Sequence, residues 1–138
     1  AFAATSRGRE RVQLLAYEAG GYYRPHWDGV EKMPDGRFVR VLDRDISMIL
    51  YLSDGFTGGH LRFPDRDITI RPERGMFLAF PSGPDHRHAA MPVFTGLRLA
   101  LVTWMPANLP ADPRWPAVAP LASQTQARMQ PVPGRDSK

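Results

Sequence analysis

Turn-forming residues interrupt this chain repeatedly, and most apolar runs between them are too short for an ordinary helix. That punctuation selects strands. Residues 11–17 have the apolar and aromatic content of a first strand, stopped by Gly20 and Gly21, and residues 24–29 form a short second one. Ile46 to Leu52 is a near-continuous apolar run, and residues 60–63, 68–70, 76–80, 86–93 and 97–104 follow, separated by turns rich in glycine and proline. About eight short strands predict an all-β (mainly β) fold with few or no helices, a sandwich or barrel of the jelly-roll kind. At 43% hydrophobic, 138 residues suffice to bury the core of one domain.

Three stretches fall outside that pattern. Residues 1–11 form a small, polar, basic lead-in. Val30 to Arg44 is polar, contains Pro34, Asp35 and Gly36, and shows no period, which predicts a long irregular loop. From Pro106 the composition changes, with seven prolines through Pro133, which predicts an extended Pro-rich tail over 106–138 and leaves 12–105 as the domain.

His26 and Asp28 stand just beyond the Gly20–Gly21 turn. Side chains at i and i+2 of a strand share a face, so the pair presents an imidazole beside a carboxylate, while Trp27 points the other way as a core residue. A metal needs at least a third ligand. His88 is the best candidate, ahead of His86, which shares its strand face by parity, and of His60, which reads as a surface or strand-end histidine. Two histidines and one carboxylate make the facial triad of non-haem Fe(II) oxygenases.

Several other chemistries are excluded. The sequence holds no cysteine, which rules out disulfides, Cys-ligated zinc and thiol catalysis. No apolar run approaches the roughly 18 to 20 residues of a membrane span, and no signal-peptide core opens the chain, so no membrane association and a cytoplasmic location are expected. The formal charge of +4 arises from arginines interleaved with acids, as in Arg40 to Asp45 and Asp65 to Asp67. Such alternation marks solvated faces, so no nucleic-acid partner is expected.

The ordered set of Tyr17, Gly20, Gly21, Tyr23, Pro25, His26 and Asp28 continues with Tyr51 to Asp54, Gly58 to Phe63, Pro72, Gly75 and Phe80. It closes with His88, Pro92, Val93, Gly96, Arg98 and Trp104. In this order the residues resemble the catalytic domain of the prolyl 4-hydroxylase-like Fe(II)- and 2-oxoglutarate-dependent dioxygenases. A lone His-x-Asp is weak; the combination is specific. The resemblance implies a double-stranded β-helix (jelly roll) with His26, Asp28 and His88 on the metal. It also implies Fe(II), 2-oxoglutarate and O2 as cofactor and co-substrates, and ascorbate binding. The implied reaction hydroxylates an unactivated C–H of a prolyl residue in a peptide or protein, releasing succinate and CO2. Arg98 is implied as the fork that holds the far carboxylate of 2-oxoglutarate, with Tyr17 a hydroxyl donor to it.

Two alternatives stand beside that reading: hydroxylation of a free amino acid or other small molecule, and a non-catalytic cupin-like metal- or ligand-binding module. Arg98 separates the classes, because a binding module has no need of a fixed cation ten residues past its last ligand. The competing reading of Arg98 is a structural salt-bridge partner on a barrel strand. The Val30–Arg44 loop is expected to act as a lid, with Arg37, Arg40 and Arg44 meeting the substrate. Members of the family usually carry helices before the first strand that buttress the larger sheet. A partner subunit or missing N-terminal helices are therefore expected to cover that sheet.

Overall fold

Burial alternates along Ile46–Tyr51: Ser47, Ile49 and Tyr51 are buried, while Ile46, Met48 and Leu50 are half-buried. A strand with that period turns one face to a core and the other outward. The structure is a computed structural model that describes residues 10–107. Its first six strands are β1 (Gln13–Tyr17), β2 (Tyr23–His26), β3 (Val30–Lys32), β4 (Phe38–Arg40), β5 (Ile46–Tyr51) and β6 (Thr57–Gly58). The second six are β7 (Leu61–Phe63), β8 (Ile68–Ile70), β9 (Phe77–Pro81), β10 (His88–Ala90), β11 (Val93–Thr95) and β12 (Arg98–Met105). One 3-10 turn lies at Pro64–Arg66, and no α-helix occurs among the described residues.

Every pairing is antiparallel. One sheet runs β1-β12-β5-β9 and a second β2-β10-β7-β8, with β11-β6 and β3-β4 as two-stranded pairs. The two larger sheets pack by their inner faces. Ile49 and Tyr51 of β5, Ala100 and Val102 of β12 and Phe80 of β9 meet Leu61 and Phe63 of β7. This is the jelly roll expected from the turn punctuation. It is cut into more pieces than about eight, since three-residue strands such as β3 and β4 are too short to show a period.

The stretch from Val30 to Arg44 is not the irregular loop expected. β3 and β4 pair as a hairpin, with Val30 opposite Arg40 and Lys32 opposite Phe38. Its base is buried at Val30 and Arg40. The Arg40 guanidinium donates to Asp45 at 2.6 Å and to Asp43 at 3.0 Å, so this arginine serves the fold and not a substrate. Arg37 pairs with Asp35 on the exposed turn. The other Asp45 oxygen accepts the Ala107 N–H at 2.6 Å, which ties the start of the Pro-rich stretch to the domain. The remainder of the expected tail, and the lead-in before Glu10, lie outside the described residues.

On its outward face the β1-β12-β5-β9 sheet carries a row of apolar side chains, one per strand. Leu14, Leu101, Leu50 and Phe77 are cross-strand partners in sequence, with Leu14 62% and Phe77 58% exposed. No described helix covers the row, and none is long and apolar enough to cross a membrane.

If the two sheets are held by the inner cluster, Leu61→Ala should destabilise the domain by about 2–5 kcal/mol, because a buried leucine loses its transfer energy and leaves a cavity. Urea unfolding measures this as a lower midpoint. An unchanged midpoint would place Leu61 outside the core.

Candidate active site

In the β2–β10 pair His26 and His88 are directly opposite, and this register sets their ring centroids 4.4 Å apart. Opposed residues are the closest side chains two strands can offer. Asp28 reaches them differently from the same-face argument, because β2 ends at His26 and the chain bends at Asp28 and Gly29. The bend, rather than the pleat, brings the carboxylate round. Asp28 Oδ1 lies 3.3 Å from His26 Nε2 and Oδ2 lies 3.4 Å from His88 Nε2. One donor atom from each residue falls within 4.8 Å of the others. Neighbouring ligands on an octahedral divalent ion, with bonds near 2.1 Å, stand about 3 Å apart, so the three donors suit one shared ion.

The protonation states point the same way. His26 Nδ1 lies 2.9 Å from the Arg24 carbonyl oxygen, and His88 Nδ1 lies 2.9 Å from that of His86. A carbonyl only accepts, so each Nδ1 carries a proton, and each Nε2 is the nitrogen turned to Asp28 that would bind a metal. Burial pushes the His88 imidazole toward its neutral form, against the pull of Asp28. Burial acts to raise Asp28, but the adjacent His26 and His88 rings and the Ser47 hydroxyl outweigh it and hold the carboxyl well below the usual range. Two imidazoles and one carboxylate are a donor set that fits Fe(II).

These groups line a cavity of about 380 Å³ between the sheets, and Arg98 lines the same cavity. On the inner face of β12, Arg98 is opposite Tyr17 of β1, and the next inward residue, Ala100, is opposite Tyr51 of β5. The guanidinium therefore stands between two phenol rings, 4.9 Å from the Tyr17 centroid and 5.1 Å from that of Tyr51. It donates to the Tyr51 hydroxyl at 3.3 Å. Its Nε is buried without a hydrogen-bond partner among the described residues. The salt-bridge reading fails among the described residues, since the only polar contact of this 3%-exposed cation there is a phenol. Burial raises the Tyr17 and Tyr51 pKa values, with Arg98 opposing, so both phenols remain protonated and able to donate.

Room for Arg98 comes from Gly59. Its φ is +61°, and a Cβ there would come within 2.9 Å of Arg98 Cδ and 3.0 Å of Phe56 Cε2. Other lining residues depart from expectation. Trp27 is not a simple core residue: it is half-buried on the cavity wall, donates its indole N–H to Pro84 O at 2.8 Å and meets Phe38 edge-on. Arg44 also lines the cavity, but both its Nε and Nη2 are engaged by Glu10, and it lies 3.7 Å over Trp104. His86 packs against Phe80 and Phe63 outside the three-residue group. Ser47 was not visible as a site residue in its apolar run, yet its hydroxyl donates to Asp28 Oδ2 at 2.6 Å. The single hint was a hydroxyl at an inward-facing position.

A sequence model of the 2OG-Fe(II) oxygenase superfamily matches residues 12–106. The chain belongs to that superfamily. Prolyl 4-hydroxylase subunit alpha-1 of Gallus gallus is 32% identical to this oxygenase over 105 residues, covering 70% of the present chain and 20% of the subunit. The chain thus spans about a fifth of the length of the curated relatives it matches. A viral collagen prolyl hydroxylase from Paramecium Bursaria Chlorella virus-1, solved as a 2OG complex, has a TM-score of 0.58 at 25% identity, over 71% of this chain and 59% of that one. A Pseudomonas putida prolyl-4-hydroxylase gives 0.55 at 29% identity, over 77% and 56%.

The oxygenase's Arg98 pocket yields a stability prediction. Gly59→Ala places a side chain in the left-handed region and against Arg98, and should cost at least about 1–2 kcal/mol. Gly55→Ala, with nothing within 4 Å of the new Cβ, serves as the control. Equal urea midpoints for the two variants would show that Arg98 does not press on Gly59.

Proposed function

We propose that this oxygenase is an Fe(II)- and 2-oxoglutarate-dependent dioxygenase that hydroxylates a prolyl residue in a peptide or protein. The observation that carries it is one cavity that combines a His-Asp-His donor set with a buried arginine lacking a described carboxylate partner. His26 and His88, through Nε2, and Asp28 would hold Fe(II). With 2-oxoglutarate and O2, that ion supplies the oxidation of an unactivated C–H, with succinate and CO2 as the other products.

Each further step belongs to the chain's own side chains. The backbone carbonyls of Arg24 and His86 fix the two imidazole planes. Held by only three protein side chains, the ion would have room for a chelating co-substrate and O2. The Arg98 fork, held between Tyr17 and Tyr51, meets the far carboxylate of 2-oxoglutarate, and the protonated Tyr17 hydroxyl donates to it. Leu15, Ile49, Ala100 and Val102 give that end of the cavity an apolar wall, which strengthens the ion pair by excluding water. Tyr23 and Trp27, aromatic residues on the same cavity wall, suit an apolar pyrrolidine ring.

A peptide substrate is favoured by the relatives, which are named as prolyl hydroxylases, one of them of collagen. The outward row of Leu14, Leu101, Leu50 and Phe77 favours a covering element, from a partner subunit or from N-terminal helices.

The deciding experiment measures 2-oxoglutarate turnover with proline-rich peptides, free proline and a panel of free amino acids. Coupling to the peptides is expected. Coupling to free amino acids alone would make the protein a small-molecule hydroxylase, and ligand binding without any turnover would make it a cupin-like binder. Arg98→Ala should weaken 2-oxoglutarate binding by tens to thousands-fold, on the order of 2 to 5 kcal/mol, while leaving metal binding intact. Asp28→Ala should show the reverse order of loss, with metal going first. Calorimetric titration of both variants separates the two subsites, and equal affinities for 2-oxoglutarate in wild type and Arg98→Ala would return Arg98 to a packing role.

A further inference from the structure

Behind the Asp28 carboxylate lie two hydroxyls that the proposed reaction does not use. Ser47 Oγ is 2.6 Å from Asp28 Oδ2 and 2.7 Å from Ser82 Oγ, and both serines are 1% exposed. Proton counting fixes the direction of this chain. An ionised carboxylate can only accept, so Ser47 gives its one proton to Oδ2, and the Ser82 hydroxyl must then donate to Ser47. Both serines stand on firm backbone. Ser47 belongs to β5, inside the β1-β12-β5-β9 sheet, while the Ser82 N–H donates to Asp45 O at 2.9 Å and its carbonyl accepts the Gly29 N–H at 3.2 Å. Gly29 permits the approach, because a Cβ there would come within 2.5 Å of Arg44 O and 3.3 Å of Ser82 O.

We propose that Ser82 and Ser47 form a hydroxyl relay that occupies Asp28 Oδ2 and leaves Oδ1 as the atom offered to the metal. The inference rests on the metal-site reading above. Its consequence is a carboxylate that binds through one oxygen. A carboxylate free to bind through both would take an additional coordination position, one that a chelating co-substrate and O2 need. Ser47 and Ser82 are positioning residues, acting through Asp28. Partners of this kind, one bond removed from the ion, typically change metal affinity by 10–100-fold when lost.

The test uses Co(II) as a spectroscopic probe under anaerobic conditions, titrated into wild type, Ser47→Ala, Ser47→Thr, Ser82→Ala and Asp28→Ala. Two quantities are read: the dissociation constant and the visible d–d spectrum, which reports coordination number and geometry. Ser47→Ala should weaken Co(II) binding by about 10–100-fold and alter the spectrum. Ser82→Ala should shift both in the same direction by less, and Ser47→Thr, which keeps the hydroxyl, should restore the wild-type spectrum. A merely structural role would lower the urea midpoint of Ser47→Ala while leaving both Co(II) readouts unmoved, and that result overturns the relay. If Ser47→Ala fails to fold, Ser82→Ala decides alone: weaker binding supports the relay, and unaltered binding and spectrum overturn it. Asp28→Ala separates the metal site from the relay. Wild-type Co(II) binding in that variant overturns the metal site and the relay together, whereas lost binding in Asp28→Ala with unaltered serine variants overturns the relay only.

Discussion

A cation buried without a counter-ion is among the most costly features a small domain can carry, and Arg98 is such a cation among the described residues. The surrounding fold reduces that cost without removing it. Two phenol rings face the guanidinium, one hydroxyl accepts from it, and Gly59 leaves space for its methylenes. Each contact depends on strand register. Moving β12 by one residue against β1 and β5 would turn Arg98 to the outward face, among the exposed leucines, and would put Leu97 or Leu99 in the cavity. A dicarboxylate bound to Arg98 would complete the charge balance that the protein leaves open.

The opposite charge in the same cavity is treated in a contrasting way. Asp28 is saturated with contacts, meeting two imidazoles and a buried hydroxyl. The β1-β12-β5-β9 sheet supplies Arg98 from β12 and Ser47 from β5, and the β2-β10-β7-β8 sheet supplies His26 from β2 and His88 from β10. The carboxylate arrives from the bend that follows β2. Both sheets must therefore pack correctly for the donors and the cation to face one space, which links core packing at Ile49, Leu61 and Phe63 to the chemistry of the site.

Much of this was legible in the residue order because glycine and proline mark strand ends whatever the tertiary context, and because the His26, Asp28, His88 and Arg98 pattern is long and ordered. The geometry brings those residues to one cavity. What stayed hidden was set by tertiary contacts. The β3–β4 hairpin has strands of three residues, too short for a period, and its register is fixed by burying Val30 and pairing Arg40 with Asp45. Nothing local distinguishes Arg40 from the exposed Arg37. Asp28 was placed on a strand by parity, whereas backbone bonds from Gly29 to Ser82 and from Val41 to Gly29 turn the chain there. Ser47 sits in an apolar run and Ser82 in a Pro-Ser-Gly-Pro turn, and a buried hydroxyl shows its value only once its acceptor is in place.

On this reading the His-Asp-His donors and Arg98 bind one metal and one 2-oxoglutarate in a shared cavity. Anaerobic addition of 2-oxoglutarate to the Fe(II)-loaded protein tests it most directly, because chelation of the ion by the keto acid gives a weak charge-transfer band in the visible region. A band that saturates at one equivalent of 2-oxoglutarate is expected. An Fe(II)-loaded protein that binds 2-oxoglutarate without developing the band would place the two ligands in separate sites and contradict it.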